Sequence, residues 1–229
     1  MLHKIESKPI LTIVLVILLM LCINIDVLDV TIMEARNFIT AREMVTDGNW
    51  LLTTMNGAPR YQKPPLPTWL SALSGLLLGV KSVFALRLPG ILMVIVTAVA
   101  SYLLSKNMLN NKTHALINAL ITITSFYVIG IIIEAPWDIF THGFMLVAIL
   151  HLFLLFEKQN NYWRHTLIAG LFFGFSILSK GPVSLYVLLL SFLIAYGVSY
   201  KFKEFKAKLF SLFSFIIIAL LIGGWWYLY

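Results

Sequence analysis

RYQKPPLPTWLSALSGLLLGV, residues 60 to 80, is the stretch on which the topology of this chain turns. Its first half is a stiff, charged elbow, in which Lys63 precedes Pro64 and Pro65 and Pro67 follows. Prolines hold φ and remove backbone donors, so the approach to the next helix is rigid. Its second half, residues 66–80, is apolar but shorter than the roughly 20 residues that a helix needs to cross a bilayer. Whether it crosses decides which side of a membrane every later loop occupies.

The surrounding chain is 60% hydrophobic and only 12% charged over 229 residues, with mean hydropathy +0.91. Apolar runs recur at 9–28, 83–104, 114–133, 139–156, 166–179, 182–198 and 209–229. This composition excludes a soluble globule and predicts an all-α polytopic membrane protein. Lys4 and Lys8 precede the first run, which is too long for a cleaved signal and lacks a small-residue cleavage site after it. It is read as a retained anchor. Cys22 is the sole cysteine, which rules out disulfides and thiolate metal sites within the chain. No internal repeat is visible. The sequence stops inside an apolar segment, Gly223-Gly224-Trp225-Trp226-Tyr227-Leu228-Tyr229, and residues 1–229 are read as one transmembrane domain, the N-terminal part of a longer protein.

Charge decides the topology. If 66–80 crosses, the loops holding Lys106 and Lys112, Lys158 and Arg164, and Lys201, Lys203, Lys206 and Lys208 all face outward. If it lies along the interface, they all turn inward, as basic loops do in membrane proteins. Ten Lys and Arg then face three acids on the inner side, against seven and seven on the outer. The second arrangement is preferred, and it accounts for the net charge of +7 without nucleic acid. It also gathers Asp29, Glu34, Arg36, Arg42, Glu43, Arg60, Lys63, Glu134, Asp138 and Lys180 at the outer face. Ionisable residues at a membrane's edge mark a site more often than they anchor, when this many converge.

The first outer loop, within 29–82, is not loose. Residues 34–46 predict a short helix, Asp47-Gly48-Asn49 a stop, and Asn56-Gly57 a second turn. Trp50 suits an interfacial anchor. Trp69, Trp137, Trp163, Trp225 and Trp226 are read as interface belt residues.

Residues 33–70, MEARNFITAREMVTDGNWLLTTMNGAPRYQKPPLPTWL, resemble the first periplasmic loop of the lipid-linked glycosyltransferases typified by aminoarabinose transferase and the protein O-mannosyltransferases. Glu34-Ala35-Arg36, Ala41-Arg42-Glu43-Met44, Gly48-Asn49-Trp50, Asn56-Gly57 and Lys63-Pro64-Pro65-Leu66 fall in the family's order and near its spacing. Arg87-Leu88-Pro89 and Ser179-Lys180-Gly181-Pro182 extend the match. Two positions depart from the pattern: the family's leading aspartate aligns with Met33, and a Glu often found before Lys-Pro-Pro is Gln62. The resemblance implies a GT-C-like transmembrane helical bundle with a structured periplasmic loop, in the bacterial inner membrane, with its active face periplasmic or extracellular. It implies transfer of a sugar from a polyprenyl-phosphate donor to a lipid, glycan or protein acceptor, as in lipid A or cell-envelope modification.

Such chemistry needs a base for the acceptor hydroxyl, cations for the departing phosphate and a groove for the lipid tail. The transition state is oxocarbenium-like, so a nearby carboxylate helps twice. The catalytic candidates are Glu34 and Asp138, with Asp29 third as a substitute for the missing aspartate. The donor-phosphate candidates are Lys63, Arg60 and Lys180, against the plainer reading of each as a snorkelling anchor. His142, one turn after Asp138, is weak evidence for a metal, and dependence on a divalent metal is left open. A transporter or lipid flippase is the alternative, but it would want polar or broken helices near the bilayer centre, and these runs are almost free of charge there.

Overall fold

The computed structural model describes residues 7–23, 25–134, 136–157, 161–200 and 202–228. Lys4, Lys158 and Lys201 of the charge count lie outside the described residues, as does the side chain of Glu134. The regular elements of the described residues are helices apart from one two-stranded hairpin. It divides into two compact units, Met1–Phe140 and Thr141–Tyr229.

In the first unit, α1 (Pro9–Leu21) has a proline in its first turn, where the missing donor costs nothing. It stops short of the apolar run's end at residue 28. The carbonyls of Ile25, Leu28 and Asp29, which a longer helix would use internally, instead accept from Arg87. Helix α2 (Ile32–Asp47) is capped by Thr31, whose hydroxyl accepts from the Glu34 amide at 3.3 Å, and it ends where Gly48 adopts φ +77°. The strands β1 (Thr54–Met55) and β2 (Ala58–Pro59) follow, joined through Asn56 and Gly57 at φ +55° and +74°. Left-handed backbone at both positions is the primed turn that asparagine-glycine favours. Glu43 holds this hairpin to α2, accepting from the Thr54 hydroxyl at 2.5 Å and the Asn56 amide at 2.6 Å.

The quoted stretch becomes α3 (Leu66–Leu78), 13 residues or about 20 Å long, against a hydrocarbon core of about 30 Å. It packs on α2 and on α4 (Val83–Leu109). Phe38, Ala41 and Met44 of α2, Ala72 of α3 and Leu86 of α4 form one apolar core. A polar seam runs beside it: Asn37 is buried and bonds Ser71 at 3.1 Å and Thr68 at 2.7 Å. Pro89 lies inside α4 and cannot donate to the carbonyl of Ala85. The Ser74 hydroxyl donates to that carbonyl at 2.6 Å instead, fastening α3 to α4 where a helical bond is missing.

The apolar run 114–133 is two helices, α5 (Lys112–Thr124) and α6 (Phe126–Glu134). Ser125 breaks them. Its backbone is extended, and its hydroxyl donates to the Thr122 carbonyl and accepts from the Val128 amide, the local bonding by which serine competes with a helix. Helix α7 (Pro136–Glu157) carries the boundary between the units.

The second unit continues through α8 (Tyr162–Lys180), a π turn (Leu185–Leu189), α9 (Leu190–Tyr200), α10 (Lys203–Ala207) and α11 (Leu209–Ala219). Helix α11 runs on through a π turn to Gly224 and a 3-10 turn to Tyr227. Gly170 and Gly174, one turn apart on α8, let α11 approach closely: a Cβ on Gly174 would stand 2.6 Å from the Ile222 Cβ. Small residues four apart are how helices come close in lipid, where burial of apolar surface gives no drive. Three described helices are long and apolar enough to cross a bilayer: Val83–Leu109, Trp137–Glu157 and Leu209–Tyr227.

Candidate active site

Five of the candidate residues, Asp29, Glu34, Arg60, Lys63 and Asp138, belong to the first unit. Glu34 sits in the first turn of α2, three residues after the capping threonine. Its carboxylate does not turn back to the cap. Arg87 donates to it twice, Nε to Oε1 at 2.6 Å and Nη2 to Oε2 at 2.7 Å, and both side chains are 1% exposed. The same guanidinium reaches the carbonyls of Ile25, Leu28 and Asp29. One buried cation thus joins the segment after α1, the start of α2 and the start of α4. An acid held through both oxygens in a dry ion pair is poorly placed to take a proton from an acceptor. Asp29 is exposed, with its peptide carbonyl tied to Arg87 at 3.3 Å.

The elbow's two cations share one ring. The Lys63 ammonium lies 4.1 Å from the centroid of Trp137 and the Arg60 guanidinium 5.3 Å from it. Trp137 was expected in an interface belt. It is instead 2% exposed, because the first turn of α7 faces the loop rather than lipid. Arg60 is positioned further by its own hydrogen bonds: Nη1 donates to the Arg36 carbonyl at 2.7 Å and to the Thr40 hydroxyl at 2.8 Å. Its backbone continues the hairpin ladder, its amide donating to Thr53 at 2.8 Å and its carbonyl accepting from the Thr53 hydroxyl. Burial, and after it the charge of Arg36, lower the guanidinium's pKa from its ordinary value; it remains a cation. Lys63 is half-buried behind Pro64 and Pro65, which are buried. Between Thr40, Thr53, Thr68, Arg60, Lys63 and Trp137 lies a cleft of about 10 Å³, room for about one water.

Asp138 follows Trp137 directly and is half-buried in the first turn of α7. Lys180 closes α8 in the second unit, followed by Gly181 at φ +88°; His142 also belongs to that unit. Among the described residues no group of three or more His, Cys, Asp or Glu could hold a metal ion. Two participants escaped the sequence. Arg87 had a signal, a lone charge near the start of an apolar run, which demands a partner in or beside a membrane. Trp137 had none, since nothing local says which face of its helix meets the elbow.

The fold is that of the GT-C membrane glycosyltransferases. The chain aligns with ArnT from Cupriavidus metallidurans, solved bound to undecaprenyl phosphate, at TM-score 0.80 and 18% identity, over 95% of this chain and 40% of that one. The apo form of the same protein aligns at TM-score 0.75. Residues 62–223 match the family model for dolichyl-phosphate-mannose-protein mannosyltransferase, and the chain belongs to that family. Among its relatives, an undecaprenyl phosphate-alpha-4-amino-4-deoxy-L-arabinose arabinosyl transferase of Proteus mirabilis is 25% identical over 72% of this chain and 32% of its own length. An uncharacterised protein of Aquifex aeolicus is 27% identical over 83% of this chain and 37% of its own. The chain spans about a third of the length of these relatives.

Proposed function

We propose that the full-length protein transfers a sugar from a polyprenyl-phosphate donor to a lipid, glycan or protein acceptor at the outer face of a bacterial inner membrane. The observation that carries this is the stacking of Arg60 and Lys63 on Trp137, one residue before Asp138. The acceptor hydroxyl attacks the anomeric carbon, and the bond from that carbon to the phosphate oxygen breaks. The hydroxyl proton goes to a carboxylate, and the polyprenyl phosphate leaves with one more negative charge. Asp138 is the base in this reading, with Asp29 second. Glu34 acts through Arg87 and is a positioning residue. The cleft beneath the cations is too small for a phosphate, so the donor meets Lys63 and Arg60 from the side open to solvent. By its residue type and its turn motif, Lys180 keeps its reading as a further phosphate cation.

The test is transfer of a radiolabelled sugar from a polyprenyl-phosphate donor by the full-length protein, normalised to folded protein. Losing a cation on the departing phosphate in a partly dry site costs about 2–4 kcal/mol, or roughly 30- to 1000-fold in rate. Lys63→Ala is therefore expected to lower donor binding and turnover by that order, with Lys63→Arg retaining part of each. An Ala variant with unchanged turnover per folded molecule would end the phosphate reading and leave Lys63 a membrane anchor.

A further inference from the structure

At the other end of the first unit, Lys8 before α1, Lys106 in the last turn of α4 and Lys112 at the start of α5 surround a cavity of about 430 Å³. No carboxylate is found among the described residues that line it. Its remaining wall is largely apolar, with Ile10, Leu11, Leu103 and Tyr102. Nineteen residues of α4 separate Lys106 from Arg87, about 28 Å along the helix, so this cavity is remote from the elbow.

Lys8 and Lys112 are exposed and Lys106 is half-buried, so all three can turn toward one anion in the space that they line. The apolar wall selects among anions: a free inorganic ion leaves it in contact with water, whereas an amphiphile covers it. Ile10 and Leu11 are about half exposed, so a chain bound there can leave sideways into the bilayer along α1. We infer that this cavity is a binding site for an anionic glycerophospholipid, its phosphodiester on Lys8, Lys106 and Lys112 and one acyl chain along Ile10 and Leu11. Basic pockets between spanning helices on the inner side of a membrane hold lipid headgroups in this way. The site is independent of which sugar or acceptor the protein uses.

Phosphatidylglycerol is the probe. Full-length protein in detergent, offered equal phosphatidylglycerol and phosphatidylcholine, is expected to retain phosphatidylglycerol preferentially by native mass spectrometry. Each lysine near a charged surface contributes about fivefold. A single Lys106→Gln should therefore weaken retention by about that factor, and the triple Lys8→Gln, Lys106→Gln, Lys112→Gln variant by tenfold or more. The triple Arg variant should keep it, which separates charge from misfolding; if the triple Gln variant does not insert, the single variants decide. Equal retention of the two lipids, unchanged retention in the Gln variants, or displacement of phosphatidylglycerol by millimolar inorganic phosphate would overturn the assignment. The last outcome would mean a free-anion site.

Discussion

Glu34 and Arg87 stand 53 residues apart in the chain and 2.6 Å apart in the fold. Dehydrating two charges is costly, and the pair holds only because both carboxylate oxygens and most guanidinium donors are satisfied. Removing one partner strands the other. Glu34→Gln is expected to destabilise the protein by about 3–5 kcal/mol, and combining it with Arg87→Met should cost less than the two single changes summed, since they share one interaction. Unfolding in detergent measures this; a Glu34→Gln protein of unchanged stability that has lost transfer would restore Glu34 as a catalytic acid. Trp137 allows a cleaner separation. A cation over an indole gains about 0.5–2 kcal/mol, depending on how dry the site is. Trp137→Phe should keep part of that attraction, while Trp137→Leu loses it and is expected to raise the donor KM several-fold more than Phe does. Equal donor KM values for the two variants would make the ring a packing element only.

At the scale of elements, the structure repairs each break it makes. Pro89 removes a helical bond and Ser74 supplies a donor from α3; Ser125 ends α5 and bonds Thr122 and Val128 itself. The contact of α8 with α11 has no such slack. A methyl on Gly174 would meet Ile222 at 2.6 Å and the Ala219 carbonyl at 3.1 Å, and overpacking of this kind costs about 1–3 kcal/mol. Gly174→Ala is expected to lower the unfolding midpoint, whereas Gly130→Ala, where the new methyl has nothing within 4 Å, should be neutral or slightly stabilising through helix propensity. The reverse order of midpoints would mean that α8 and α11 are not held this closely.

For the whole molecule, charge predicts the orientation. If α3 lies along the interface, as the charge count favours, the loops holding Lys106 and Lys203 are expected on the inner side. Cysteines introduced singly at 106 and 203, in a background lacking Cys22, are expected to resist a membrane-impermeant thiol reagent in intact cells and to react once the membrane is opened. Labelling of both from outside would overturn this arrangement and mean that residues 66–80 cross the membrane or that the amino terminus lies outside.

Composition and period alone made the class legible: long apolar runs, the short 66–80 segment, the turns at Gly48 and at Asn56-Gly57, and the proline elbow all follow from bonds between near neighbours. Residue type also put forward Lys63 and Arg60 as phosphate cations, and the structure sets both over the Trp137 ring. Helix ends were less legible, because α1 stops at Leu21 and the carbonyls beyond it are taken by Arg87, and 114–133 divides where one serine out-competes the backbone. Which acid lies buried and which open was decided by tertiary structure only. Glu34 and Asp29 look alike in the chain, and the difference between them is Arg87, brought from the start of α4. The same holds for Trp137, whose partners Arg60 and Lys63 come from a hairpin more than seventy residues earlier. Pairings of this kind depend on how faces of separate helices meet, and local periodicity carries no record of that.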